Sequence, residues 1–137
     1  MNKYAISGSI TGEDIKSIRK SLSMTQKEFA EFASCSKRAV ENWESKKEPI
    51  TGPIVTLVEL LRRKPELVRR MELPDEKYRM RLYYMYDNMI CSVIDVDEPK
   101  RMVKVKNYVD NPIYCAFGVN QYPDDHDYEE FLEYKRR

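Results

Sequence analysis

The sequence predicts an α+β chain: a five-helix domain followed by a small antiparallel β-meander with a terminal helix. Three observations carry this. Hydroxyl residues placed to cap helices recur in the first half, at Thr11, Thr25 and Ser36. Nine of the ten tyrosines lie after residue 74, where β-branched residues also concentrate. Charge divides along the same line: residues 1–73 carry 14 Lys/Arg against 10 Asp/Glu, a net +4, and residues 74–137 carry 10 against 13, a net −3. The expected organisation is therefore an N-terminal arm (1–10), a helical domain (11–73) and a small β-rich domain (74–137).

Composition narrows the class. With 34% charged and 42% hydrophobic residues, the 137-residue chain has enough apolar material for a core. No apolar run approaches the roughly 20 residues a membrane span needs, and the opening MNKYAISGSITGED lacks the apolar stretch of a secretory signal. Cys35, Cys91 and Cys115 are odd in number and lack CxxC spacing, which favours reduced thiols in a cytoplasm over disulfides or a zinc site.

The arm passes through Ser7-Gly8-Ser9 and is expected to be a frayed terminus or a lone edge strand through Tyr4 and Ile6. A first helix starts near Thr11, with Asp14 three residues on as an imperfect capping box. Ile15, Ile18 and Leu22 mark its buried face. Lys16, Arg19 and Lys20 fall on the other side, which makes Arg19 or Lys20 a candidate contact to a phosphate backbone, with a solvated face as the alternative.

Residues 24–47, MTQKEFAEFASCSKRAVENWESKK, contain a helix, a three-residue turn and a second helix. Thr25 and Glu28 form a capping box, and Phe29, Ala30, Phe32 and Ala33 follow at helical spacing. Ser34-Cys35-Ser36 interrupts that pattern, and Ser36 can cap a helix from Lys37 to about Ser45. There Ala39, Val40 and Trp43 can face inward, leaving Lys37, Arg38, Glu41 and Asn42 outside. A short helix with such an outer face, held across a tight turn, is how side chains are placed in a DNA major groove.

M-T-Q-K-E-F-A followed by S-x-x-x-V-x-x-W-E resembles the helix-turn-helix of the Cro-repressor-like (Xre) family, in its antitoxin-type (HigA- and MqsA-like) variant. Members often continue with a Gly-Pro-initiated helix and then KPEL, as Gly52-Pro53 and Lys64-Pro65-Glu66-Leu67 do here. The resemblance covers residues 11–73. It implies that Gln26 clamps the DNA backbone and that Arg38 and Asn42 occupy base-reading positions.

Side-chain chemistry agrees with these roles. Arg38 can pair in bidentate fashion with guanine O6 and N7, and Asn42 with adenine N6 and N7. Lys37 can reach a guanine or a phosphate, and Glu41 either accepts from cytosine N4 or orients its basic neighbours by an ion pair. Gln26 and Lys27 open the first helix of the motif, where free amides and the helix dipole favour a phosphate. Ser36 at the start of the second, and Lys46 and Lys47 in the loop after it, complete the expected backbone contacts. Trp43 is assigned to packing, and Glu44 to a structural hydrogen bond or ion pair.

Pro53 opens a fourth helix, with Ile54, Leu57, Val58 and Leu61 inward and Arg62, Arg63 and Lys64 at its end. A short fifth helix runs from Glu66 to about Glu72. Leu60, Leu67 and Val68 either contact a second copy or fill the domain's own core. Beyond Pro74, strands are expected at Arg81–Tyr86, Ile90–Val96 and Met102–Val109, the last two forming a hairpin with one wet face. A short strand at Ile113–Phe117 and a helix at Tyr128–Arg137, capped by Asp124–Asp127, complete the chain. Asp95, Asp97 and Glu98 are expected to bracket a solvated turn rather than hold a metal.

The expected function is that of a transcriptional regulator, a dimeric autorepressor on a pseudo-palindromic double-stranded DNA operator, in a bacterial or phage-encoded cytoplasmic setting. Residues 75–137 would then bind a cognate toxin protein, join two copies, or sense a small molecule. No cofactor, metal, membrane or catalytic chemistry is expected: His126 has no positioned nucleophile, and no glycine-rich phosphate loop is present.

Overall fold

The computed structural model describes residues 3–136, with side chains as far as Tyr134. Two compact units divide the chain, residues 1–70 and 71–137. Among its described residues the first contains five helices: α1 (Gly12–Ser21), α2 (Gln26–Phe32), α3 (Lys37–Ser45), α4 (Pro53–Arg63) and the start of α5 (Glu66–Met71). The second contains an antiparallel sheet of β1 (Met80–Tyr86), β2 (Met89–Asp97) and β3 (Met102–Asn107), in that order, and then α6 (Asp125–Arg136). This is the predicted α+β arrangement. No helix among the described residues is long and apolar enough to cross a membrane.

Local chemistry sets the helix ends. Thr11 and Thr25 each accept from the amide three residues on, while Asp14 and Glu28 accept from the cap amides, so both capping boxes close. These bonds stabilise the ionised carboxylates, holding Asp14 and Glu28 below the usual carboxylate range. α1 and α2 also finish alike. The amide of Met24 donates to the Arg19 carbonyl and that of Ser23 to Lys20; Cys35 and Ser34 repeat the pattern on Ala30 and Glu31. Each is a Schellman closure with a serine in the left-handed region, Ser23 and Ser34 both at φ 56°.

Ile15, Ile18, Phe29, Ala30, Val40, Ile54, Val55, Val58, Leu61 and Val68 make the core of the first unit, with Leu22, Trp43, Leu57 and Leu67 packed against it. Val68 thus fills its own core, and Leu60 stays outside. The arm does not form the edge strand considered for Tyr4 and Ile6. Its ordered link is a bridge between Ile10 and Ile50, and the Ala5 carbonyl accepts from Arg63.

In the second unit, one sheet face (Leu82, Ile94, Val96, Val103, Val105) packs with Tyr128, Phe131 and Leu132 of α6. The expectation of a wet opposite face is corrected for the central strand, where Cys91–Val96 are all buried; Tyr83 and Lys104, on the flanking strands, stay exposed. Arg81 pairs with Asp95 there and also donates to the Pro74 carbonyl, while Lys106 and Tyr108 donate to the Glu72 carbonyl. The segment after α5 is therefore tied across that face. Asp95 belongs to this buried pair, with its carboxylate 2.8 Å from Arg81 Nε, and not to a solvated turn.

A second correction concerns Ile113–Phe117, which is not a strand. Asn111 caps a single 3₁₀ turn at Pro112–Tyr114, Ile113 points outward, and the Ala116 amide donates to buried Ser92 Oγ. Proline supplies no amide for a ladder, and the Asn111 side chain satisfies the next one instead. Some tyrosines of this unit serve in packing: Tyr86 lies against Tyr114, Tyr84 against Phe131, and Tyr128 is buried under the sheet, whereas Tyr83, Tyr122 and Tyr134 are exposed. α6 begins earlier than predicted, at Asp125, because Asp124 and Asp127 exchange backbone-to-carboxylate bonds across its first turn.

A candidate nucleic-acid interface on the second and third helices

α3 is held by one side and open on the other. Val40 is fully buried, Trp43 is half-buried against the core, and Lys37, Arg38, Glu41 and Asn42 are all exposed. Burying Val40 and Trp43 sets the rotation of the helix, so the four outer side chains necessarily share the solvent face. The Glu41 carboxylate lies 3.8 Å from Lys37 Nζ one turn earlier; both side chains are half exposed or more, and the pair is weak.

The start of α3 is electrostatically unusual. Its first turn holds no acid and two cations, Lys37 and Arg38. Because a helix N-terminus carries partial positive charge, that arrangement costs stability and concentrates positive potential where an anion would be attracted. Ser36 Oγ accepts from the Ala39 amide and keeps its own proton to donate. Lys27 on α2 and Lys46 and Lys47 after α3 are exposed cations in the same unit.

A partly buried polar cluster locks α3 to the rest of the motif. Glu44, near its end, takes two hydrogen bonds from Arg19 of α1, Nε to Oε2 at 2.7 Å and Nη2 to Oε1 at 2.9 Å. Arg19 Nη1 also donates to the Met24 carbonyl, and Gln26 Nε2 reaches Glu44 Oε1 at 3.3 Å. The bonds from Arg19 hold the Glu44 carboxyl below the usual range despite its burial, and the same contact raises Arg19.

This geometry changes the assignment of one residue. Arg19, expected on a phosphate, has all three guanidinium nitrogens engaged within the fold and a side chain only 12% exposed. It positions Glu44 and, through it, Gln26. The sequence predicts a hydrogen bond or ion pair for Glu44 but names no partner, since 25 residues separate the two. A further positioning residue was missed: Gly12. A Cβ there would collide with the Trp43 carbonyl oxygen and crowd that of Glu44. The signal for it was a glycine directly after a capping threonine, inside the first turn of a helix.

No family model matches the chain. A stretch of 57 residues, 42% of the chain, is 39% identical to antitoxin HigA-2 of Vibrio cholerae and covers 55% of that protein. The chain thus spans about half the length of this curated relative.

Proposed function

We propose that this protein is a sequence-specific, double-stranded-DNA-binding regulator of antitoxin type that acts as a homodimer. The observation that carries the reading is the face of α3: Lys37, Arg38, Glu41 and Asn42 exposed together, on a helix whose rotation is set by Val40 and Trp43 and whose end is locked by Arg19–Glu44. In this reading α3 enters the major groove. Arg38 and Asn42 read purine edges, and Lys37, oriented by Glu41, reads or neutralises beside them. Gln26, Lys27, Ser36, Lys46 and Lys47 hold the phosphates and set the register. Arg19 drops out of the contact set and supports it from within. Two modules about 34 Å apart on one side of the duplex would read a pseudo-palindromic site.

The test is a mobility-shift titration on DNA upstream of the protein's own gene, with unrelated DNA as competitor. Arg38→Ala and Asn42→Ala are expected to lower selectivity for that site by about ten-fold or more each, with melting temperatures near wild type because both side chains are exposed. Unchanged selectivity in both variants would refute the assignment of α3.

The name of the matched relative supports a second activity, the binding of a toxin protein. Residues 75–137 are the proposed contact, and co-purification with the product of the adjacent gene tests it; a second unit inert in that pull-down counts against it.

A further inference from the structure

The two edges of the sheet differ in kind. β3 presents Met102-Val103-Lys104-Val105-Lys106-Asn107, and lysines on an edge strand are a recognised guard against pairing with another chain. β1 presents Met80-Arg81-Leu82-Tyr83-Tyr84-Met85-Tyr86, with no proline, glycine or lysine. Its one charge, Arg81, is turned onto Asp95 and the Pro74 carbonyl. The irregularity in the β1–β2 register falls between Tyr84 and Met85, where β2 supplies the extra residue, Cys91, so β1 itself is not bulged. No strand lies beyond β1 among the described residues. Along this strand Met80, Tyr83, Met85 and Tyr86 are 36–51% exposed.

We infer that the β1 edge is the surface through which two copies of this chain pair, strand against antiparallel strand, into a continuous six-stranded sheet. This deepens the homodimer of the proposed function, but its test uses no DNA and stands or falls separately. The occupant follows from the strand's own pattern. In the register that overlaps all seven residues, the two-fold axis passes through Tyr83. Tyr83 then faces its own copy, Leu82 faces Tyr84, Arg81 faces Met85, and Met80 faces Tyr86. No like charges meet, and apart from Arg81 opposite Met85 the facing side chains are aromatic or apolar, the pairs that stabilise antiparallel ladders. Half-exposed tyrosines such as Tyr83 and Tyr86 offer on the order of 100 Å² each. The edge is therefore of the smaller interface class, below about 1,200 Å² in total, and the dimer is reversible.

The experiment is sedimentation analysis of the full chain from about 1 to 100 µM, with an oxidative cross-linking arm. Wild type is expected to move from monomer to dimer across that range. Tyr83→Lys, at an exposed position, is expected to stay monomeric with an unchanged circular dichroism spectrum. Tyr83→Cys, whose Cβ would sit about 5 Å from its copy, is expected to form a disulfide-linked dimer on mild oxidation, whereas Lys104→Cys on β3 does not. A monomer throughout, a dimer indifferent to Tyr83→Lys, or cross-linking no better from position 83 than from 104 would each overturn the inference. The first would leave the edge to a strand of another protein. Loss of operator selectivity with the dimer intact would touch only the DNA-binding reading.

Discussion

Arg19 and Glu44 meet through two parallel hydrogen bonds, 2.7 and 2.9 Å long, that join α1 to the end of α3 across 25 residues of sequence. Glu44 is held in its ionised form by Arg19, so its folded-state pKa lies below the ordinary value of 4.5. A group depressed in this way contributes stability that is present above the unfolded pKa and lost as pH falls through the folded one. Glu44→Gln is therefore expected to be less stable than wild type at pH 7 by about 1 kcal/mol, a charge-assisted bond at a partly screened site. The gap should close as pH drops below about 4.5. Urea titrations at pH 7, 5 and 3.5 measure it, and a gap independent of pH would contradict the assignment.

Gly12 sits where α1 crosses the backbone at the end of α3. Gly12→Ala normally favours a helix, but here the methyl group meets the Trp43 carbonyl, and neither backbone can yield locally. The expected result is a loss of about 1–3 kcal/mol, typical of overpacking, together with weaker DNA binding because α3 is displaced. Gly8→Ala, with open space around it, is the control and should change neither.

Ser34 closes α2 in the left-handed region, φ 56°, immediately before the turn into α3. Glycine adopts that conformation without a Cβ clash, so Ser34→Gly is expected to raise stability by up to about 1 kcal/mol. Differential scanning calorimetry would show it as a higher melting temperature, and a lower one would indicate that the serine side chain makes a compensating bond.

Lys46 and Lys47 follow α3 as exposed cations without an ion pair within 4 Å among the described residues. Replacing either with alanine should weaken binding to specific and unrelated DNA alike, and reduce the slope of log affinity against log salt by about one unit. A change confined to one sequence would move that lysine from the backbone to a base.

The helix-turn-helix half was legible because its determinants are local. Thr11, Thr25 and Ser36 announce helix starts through bonds to amides three residues away, and the spacing of Val40 and Trp43 sets which face of α3 is buried. Strands were legible as alternation, within a residue or two at most ends. Ile113–Phe117 misled because Asn111-Pro112 signals a turn without saying whether the apolar residues after it extend as a strand or, as here, coil into a 3₁₀ turn. The wet sheet face misled because what covers it, the carbonyls of Glu72 and Pro74 reached by Arg81, Lys106 and Tyr108, lies up to 36 residues away.

The sequence alone thus determined the α+β class, the helix boundaries near their caps, and the exposed quartet Lys37, Arg38, Glu41 and Asn42, all consequences of interactions spanning a turn or two of chain. Only the tertiary structure decided that Arg19 serves Glu44 rather than a phosphate, that Gly12 is a point of closest approach, and that Asp95 is a buried partner of Arg81. A charged side chain satisfies whichever opposite charge or carbonyl the fold brings within about 3 Å, and pairing over such distances leaves no periodicity in the sequence to reveal it.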